Sequence, residues 1–324
     1  MRVTVRAPAR LHFGFIDLDG SLGRMFGSIG LAIDEPKVIL EVAPAKRLAV
    51  EGDESGRAAA LARRFLHHYR IRERVHISIK EIIPPHVGLG SGTQLALSLA
   101  AALARLFSVE AGVRDYAAAM GRGARSGIGV TAFERGGFIV DGGRSVSVTS
   151  HAPHPDLIPP TIVRHPFPED WTFVVAIPNV GRGLAGDAED RAFRLLAARP
   201  ATGAERLSRI VLMQMLPALL ERDPAAFGRS LTSVQRIVGS WFRAVQGGTF
   251  ASPLGAKVAR VMARAGALGV GQSSWGPTIY GMADEKALAN VLEQRARQSW
   301  AARPGLTIFQ ARANNRGAEI IDYD

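Results

Sequence analysis

Apolar and polar residues alternate over Arg2–Arg6 and again over Val75–Ile83 (V-H-I-S-I-K-E-I-I). That two-residue period predicts half-buried strands. The pattern then breaks at 84–94, P-P-H-V-G-L-G-S-G-T-Q, and resumes as Leu95–Leu106, a run of strong helix formers. Upstream, Ala7–Ile33 reads as a strand, a polar turn at Asp17–Arg24 and a second strand, and Val38–Val50 adds further strands. Helices are expected over 56–70, 94–107 and 113–120, and Gly-rich strands over 122–149 with a hairpin at 136–143. Residues 2–6 read as a first or edge strand. Proline clusters at 150–169 mark a boundary, and Trp171–Pro178 opens a second block as a buried strand. Helices follow over 186–198, 203–221, 223–245 and 254–267. Then come a Gly/Ser loop with a strand over 270–282, a helix over 283–297 and a last strand over 306–311. The order predicts an α+β protein of two domains, 1–155 and 156–324.

The 324 residues suffice for two ordinary cores. The absence of cysteine excludes disulfides, thiolate metal sites and thiol nucleophiles, and suits a cytoplasmic location. No apolar run is long and unbroken enough to span a bilayer, so no membrane partner is expected. The formal charge is +11, carried by thirty-five arginines against five lysines. Such a balance raises the local concentration of anions. The arginines are scattered, and no RNA-reading motif or zinc finger accompanies them. An RNA-binding protein would leave the glycine loop unexplained, and no nucleic-acid partner is expected.

The 84–94 stretch carries the chemistry. A strand, a glycine turn and a helix start offer unpaired N–H groups and a positive dipole end to an anion, with the hydroxyls of Ser91 and Thr93 beside them. The bland alternative is a tight turn before a buried helix. It is neither a Walker loop, which needs a lysine, nor a dinucleotide fingerprint. Gly88, Leu89, Gly90 and Ser91 resemble the second motif of the GHMP kinase superfamily, P-x-x-x-G-L-G-S-S. Gly92 departs from it, standing where the kinases carry a serine that helps hold Mg²⁺. Ser274, Gly276, Pro277 and Thr278, within Gly269–Gly281, are similar to that superfamily's C-terminal loop, and Pro8-Ala9-Arg10 to its N-terminal landmark. The resemblance implies an N-terminal ribosomal-protein-like split β-α-β domain, a C-terminal ferredoxin-like domain and a site in the cleft between them.

The kinase catalytic Asp is missing. Ser126-Gly127-Ile128-Gly129 places glycine at that position, with Glu134 off register. The segment Arg10–Gly23 with Arg24 and Gly27–Leu31 looks like the β-ribofuranosylaminobenzene 5′-phosphate synthases, which share the fold without being kinases. So do Gly123–Gly129 with Phe133-Glu134, Gly136–Phe138, Asp141–Gly143, Gly183–Gly186 with Glu189 and Phe193, and Ser273–Thr278. That resemblance implies joining 4-aminobenzoate to phosphoribosyl diphosphate, with loss of CO₂ and diphosphate, on the way to methanopterin cofactors. The alternative is an ATP-dependent small-molecule kinase. On the transferase reading, Gly88, Gly90, Ser91, Gly92 and Thr93 hold the diphosphate, with Ser273, Ser274 and Gly276 closing over it. Arg10 takes the place of a substrate-facing lysine. Asp17 and Asp19 bind a divalent metal such as Mg²⁺, with Thr93, or face the cationic ring. Arg24 pairs with a phosphate or carboxylate. Asp17-Leu18-Asp19-Gly20 reads equally as a hairpin turn. No organic cofactor is expected, and the family resemblance favours a homodimer.

Overall fold

The computed structural model describes residues 1–146, 157–180, 183, 186–197, 202–300 and 305–323. Strands β1 (Arg2–Asp17) and β2 (Arg24–Ala45) form a long antiparallel pair. Then come β3 (Ala49–Glu51), α1 (Ser55–His68), β4 (Arg74–Glu81), α2 (Ser91–Leu106), α3 (Val113–Ala119), α4 (Ile128–Glu134), β5 (Phe138–Asp141) and β6 (Arg144–Ser145). β7 (Thr161–His165) and β8 (Thr172–Pro178) lead into α5 (Asp187–Ala197) and α6 (Ala204–Ile210). A π-helical stretch, Val211–Met215, joins α6 to α7 (Leu216–Leu220). α8 (Pro224–Gln246), α9 (Pro253–Arg264), β9 (Gly269–Gln272), β10 (Ile279–Ala283), α10 (Lys286–Trp300), β11 (Leu306–Arg312) and β12 (Glu319–Tyr323) complete the chain.

The first sheet runs β12-β1-β2-β4-β3, with β5 and β6 also pairing with β2 and β7 with β5. The second runs β11-β8-β10-β9. That order, with α9 and α10 crossing its face, is the expected β-α-β-β-α-β arrangement. α2 is buried from Gln94 to Ala104, as its uniformly apolar run requires. α8 carries both a start and a stop signal: Asp223 accepts from Ala226 N at 2.8 Å ahead of Pro224, and Gly247 ends the helix at φ 79. The halves share one core. Phe13 of β1 lies 6.0 Å from Phe173 and 5.3 Å from Tyr280 of the second sheet, and Phe138 lies 5.8 Å from Phe227.

Three expectations need correcting. Residues 128–134 are helical, not a strand. Their β-branched and aromatic side chains are all buried against α2 and the sheet, and that packing outweighs local preference. β5 and β6 each pair with β2 and not with one another as a hairpin. The second segment does not run unbroken over 156–324, because β7 and β12 return to the first sheet, and β12 covers β1 so that β1 is no edge. The expected boundary at 155/156 lies outside the described residues, as do Leu184 and Ala185 of the 183–186 motif.

Candidate active site

The glycine loop lies where the two halves meet. Gly88 (φ 89) and Gly90 (φ 83) take left-handed conformations, and Gly90 starts α2 with no side-chain cap. Glycine is required at 88 for a second reason: a Cβ there would stand 2.3 Å from the carbonyl oxygen of Ser273. The 273–278 loop grips the outer face of the glycine loop. Ser273 Oγ donates to Gly88 O at 2.7 Å, and Thr278 donates to Val87 O from Oγ1 at 2.6 Å. Gly183 N donates to His86 O at 2.8 Å. These bonds occupy the loop's carbonyls, so its amide side is what remains for an anion.

Arg10 backs the loop. Its N donates to Leu89 O at 3.1 Å, its Nη1 donates to Gly88 O, and its Cγ lies 3.0 Å from where a Cβ on Gly90 would be. Burial pulls its pKa down to about 10, and the Glu189 carboxylate opposes that shift. Glu189 and Asp190, in the first turn of α5, pair with Arg125 at 3.1 and 3.0 Å, and Arg125 lies over the Phe193 ring. Glu189 is thus held by Arg125 within electrostatic reach of Arg10.

Ser273 is a positioning residue: its Oγ accepts from His12 N at 3.0 Å while donating to Gly88. Ser274 (φ 55) donates its N–H to His12 O at 3.0 Å, and Gly276 N donates to Ser273 O at 2.9 Å. Trp275 is buried, stacked on Phe242 at 4.1 Å and edge-on to Phe193 at 5.3 Å, so it serves the interior. His12 is buried with neither ring nitrogen bonded. Burial, then Arg10, hold its pKa well below 6.5.

Thr93 lies against Gly129. A Cβ on Gly129 would stand 3.1 Å from Thr93 Cγ2 and 3.5 Å from its Oγ1, and Gln94 Nε2 donates to Gly129 O at 2.8 Å. Position 129 therefore faces the glycine loop, as the kinase pattern requires of its base, and a threonine fills the space.

Asp17, Asp19 and Arg24 are not brought to the loop. Asp17 lies seven residues beyond Arg10 on β1, roughly 20 Å along the strand. Its Oδ1 accepts from Asp19 N at 2.9 Å and Gly20 N at 3.2 Å, and Asp19 Oδ1 accepts from Ser21 N at 2.8 Å, the bonds of an Asx turn. Burial raises the Asp17 pKa against those hydrogen bonds. Arg24 donates to Gly142 O at 2.8 Å and to Gly143 O at 2.7 Å. The metal set expected from Asp17, Asp19 and Thr93 is thus not assembled. No cluster of three His, Asp or Glu among the described residues is placed to hold an ion.

Asp141 organises what lies behind the loop. Its carboxylate accepts from Gly127 N at 2.8 Å, Gly143 N at 2.9 Å and Ser28 N at 3.1 Å, fixing the turn into α4. Burial raises its pKa to about 6, the hydrogen bonds opposing. Sequence reasoning missed this role, and it missed Arg57 and Arg122 beside Gly92. The one signal was Gly92 itself, a departure from the motif that left room for something else.

The N-terminal and C-terminal GHMP kinase domain models match residues 56–137 and 215–302. β-Ribofuranosylphenol 5′-phosphate synthase of Methanothermobacter thermautotrophicus is 36% identical over 305 residues, 88% of this chain and 90% of that protein. Its namesake from Archaeoglobus fulgidus is 32% identical over 322 residues, 98% of both. The chain belongs to the β-ribofuranosylphenol 5′-phosphate synthase family. Within the GHMP fold, membership makes it an enzyme of condensing, pentosyltransferase type with small-molecule substrates. Homoserine kinase of Cytophaga hutchinsonii superposes with a TM-score of 0.69 at 19% identity, covering 99% of this chain and 97% of its own, which shows the shared fold. Among the described residues no helix is long and apolar enough to cross a membrane.

Proposed function

We propose that this enzyme joins phosphoribosyl diphosphate to a benzoate bearing an electron-donating 4-substituent, with release of CO₂ and diphosphate. The observation that carries the reading is the pairing of an anion-binding loop with a glycine at position 129, whose open side is filled by Thr93. Phosphoryl transfer to an alcohol gains from a base at that point. Departure of a diphosphate does not. The C1–O bond of the sugar breaks with its electron pair leaving on the diphosphate, which the amides of Gly88–Gly92 and the dipole of α2 hold. The oxocarbenium-like C1 that remains is attacked by the ring carbon bearing the carboxylate. The carbon–carboxylate bond then breaks, its electrons restore the aromatic ring, and CO₂ leaves. Glu189, within electrostatic reach of Arg10, stands as the carboxylate that faces the cationic sugar. Arg10 and the Ser273 clamp keep the loop in place before substrate arrives.

The acceptor is 4-aminobenzoate or its 4-hydroxy analogue. Both substituents push electrons to the attacking carbon, and the relatives' name specifies a phenol product. Incubation of the purified enzyme with phosphoribosyl diphosphate and each benzoate in turn, analysed by mass spectrometry, is expected to give a decarboxylated C-riboside phosphate from at least one. ATP in place of phosphoribosyl diphosphate is expected to give none. An adduct that retains the carboxylate, or a phosphorylated alcohol formed from ATP, contradicts the proposal.

A further inference from the structure

Two guanidinium groups converge on the first turn of α2. A Cβ on Gly92 would stand 2.5 Å from Arg57 Nη2 and 3.4 Å from Arg122 Nη1, so both tips lie over the same helical turn. Arg57 comes from α1 and Arg122 from the loop before α4. A third, Arg64, is anchored through its Nε on Ala119 O at 2.6 Å, and its tip lies 3.0 Å from a Cβ position on Gly121. Glu54 answers Arg57 at 3.5 Å. Arg122 keeps its Nε buried without a hydrogen-bond partner, and burial, then Arg57 and Arg64, pull its pKa down to about 10. Like charges gathered at a helix end that is itself positive repel one another. The arrangement is favourable once an anion sits among them, and guanidinium forks match phosphate oxygens bidentately.

We infer that Arg57 and Arg122, gathered beside Gly92, form a guanidinium clamp that holds one phosphate of a diphosphate group while the Gly88–Gly90 amides hold the other. The clamp supplies the positive charge that the Asp17–Asp19–Thr93 set does not assemble a metal to provide. The absence of a side chain at 92 is what lets Arg57 reach the turn. That the diphosphate belongs to phosphoribosyl diphosphate rests on the transferase reading. The anion site does not.

Calorimetric titration with inorganic diphosphate, in EDTA and separately in Mg²⁺, tests this. The wild-type enzyme is expected to bind diphosphate in EDTA. Arg57→Gln and Arg122→Gln should each weaken it by about tenfold, the loss of one charge-assisted contact. Gly92→Ser puts a side chain where the Arg57 tip stands and should weaken binding in the same direction. It displaces only the far end of a flexible side chain, so it remains informative if either arginine variant does not fold, which melting without ligand reveals. Inorganic phosphate, able to reach one half of the site only, should bind about tenfold more weakly than diphosphate. Binding seen only with Mg²⁺, or unchanged in the three variants, overturns the inference. A protein that binds diphosphate through these arginines yet makes no C-riboside refutes the transferase reading and leaves the clamp standing.

Discussion

Two buried ionisable groups set opposite pH responses. His12 is kept neutral in the native state, whereas the unfolded chain protonates it below about pH 6.5. Its contribution to stability is therefore lost as pH falls. Asp141 runs the other way. Raised from 3.8 to about 6, it takes up a proton in the native state across a window where the unfolded chain stays ionised, so stability rises as pH falls from about 6 toward 3.8. Each slope is at most ~1.4 kcal/mol per pH unit, and the two oppose one another below about pH 6. Asp141→Asn removes one of them. In denaturant titrations, the stability of the wild type relative to Asp141→Asn is expected to rise between pH 6 and 4 by ~1 kcal/mol per unit. Parallel profiles would contradict the assignment. None of this was legible in the sequence, where His12 alternated like an ordinary strand residue and Asp141 stood in a glycine turn.

The elements themselves were legible where one period ran long enough. α1, α2, α5, α8 and α10 lie within a few residues of their expected spans, because continuous apolar stripes and caps such as Asp223-Pro224 identify them. α4 was not, since seven residues rich in Ile, Val, Thr and Phe favour a strand until α2 and the sheet close around them. The glycine loop and the 273–278 loop were read as partners, and the Ser273–Gly88 and Thr278–Val87 bonds join them. Trp275 sits between Ser274 and Gly276, where the motif alone does not say whether its ring faces a ligand or the interior. Its stack on Phe242 ties the second loop to α8, and its edge contact with Phe193 ties it to α5. Trp275→Ala is expected to cost ~3–5 kcal/mol, the penalty for emptying a large aromatic site, measured as a shift of the denaturation midpoint. Trp275→Phe should recover most of it. A stability loss under ~1 kcal/mol for the alanine variant would place the ring outside the core.

At the scale of the molecule, the two sheets share one aromatic core, and the glycine loop is pinched between them. Each half supplies what the other lacks: the first offers amides, Arg10 and the arginines beside Gly92, and the second offers the hydroxyls that occupy the loop's carbonyls. The candidate site was legible as far as local motifs reach. The clamp was not, because Arg57 and Arg122 are sixty-five positions apart and only the fold brings them to one turn. Asp17, Asp19 and Arg24 were drawn into the site by their motif, yet their hydrogen bonds are spent on turns at the far end of β1. The central claim is a substitution at the sugar carbon coupled to decarboxylation. The direct measurement is release of CO₂ from carboxyl-labelled 4-aminobenzoate or 4-hydroxybenzoate, with diphosphate assayed in the same tube. The account predicts label released only when phosphoribosyl diphosphate is present, in one-to-one proportion with diphosphate. Diphosphate released without CO₂, or neither product with both benzoates, would contradict it.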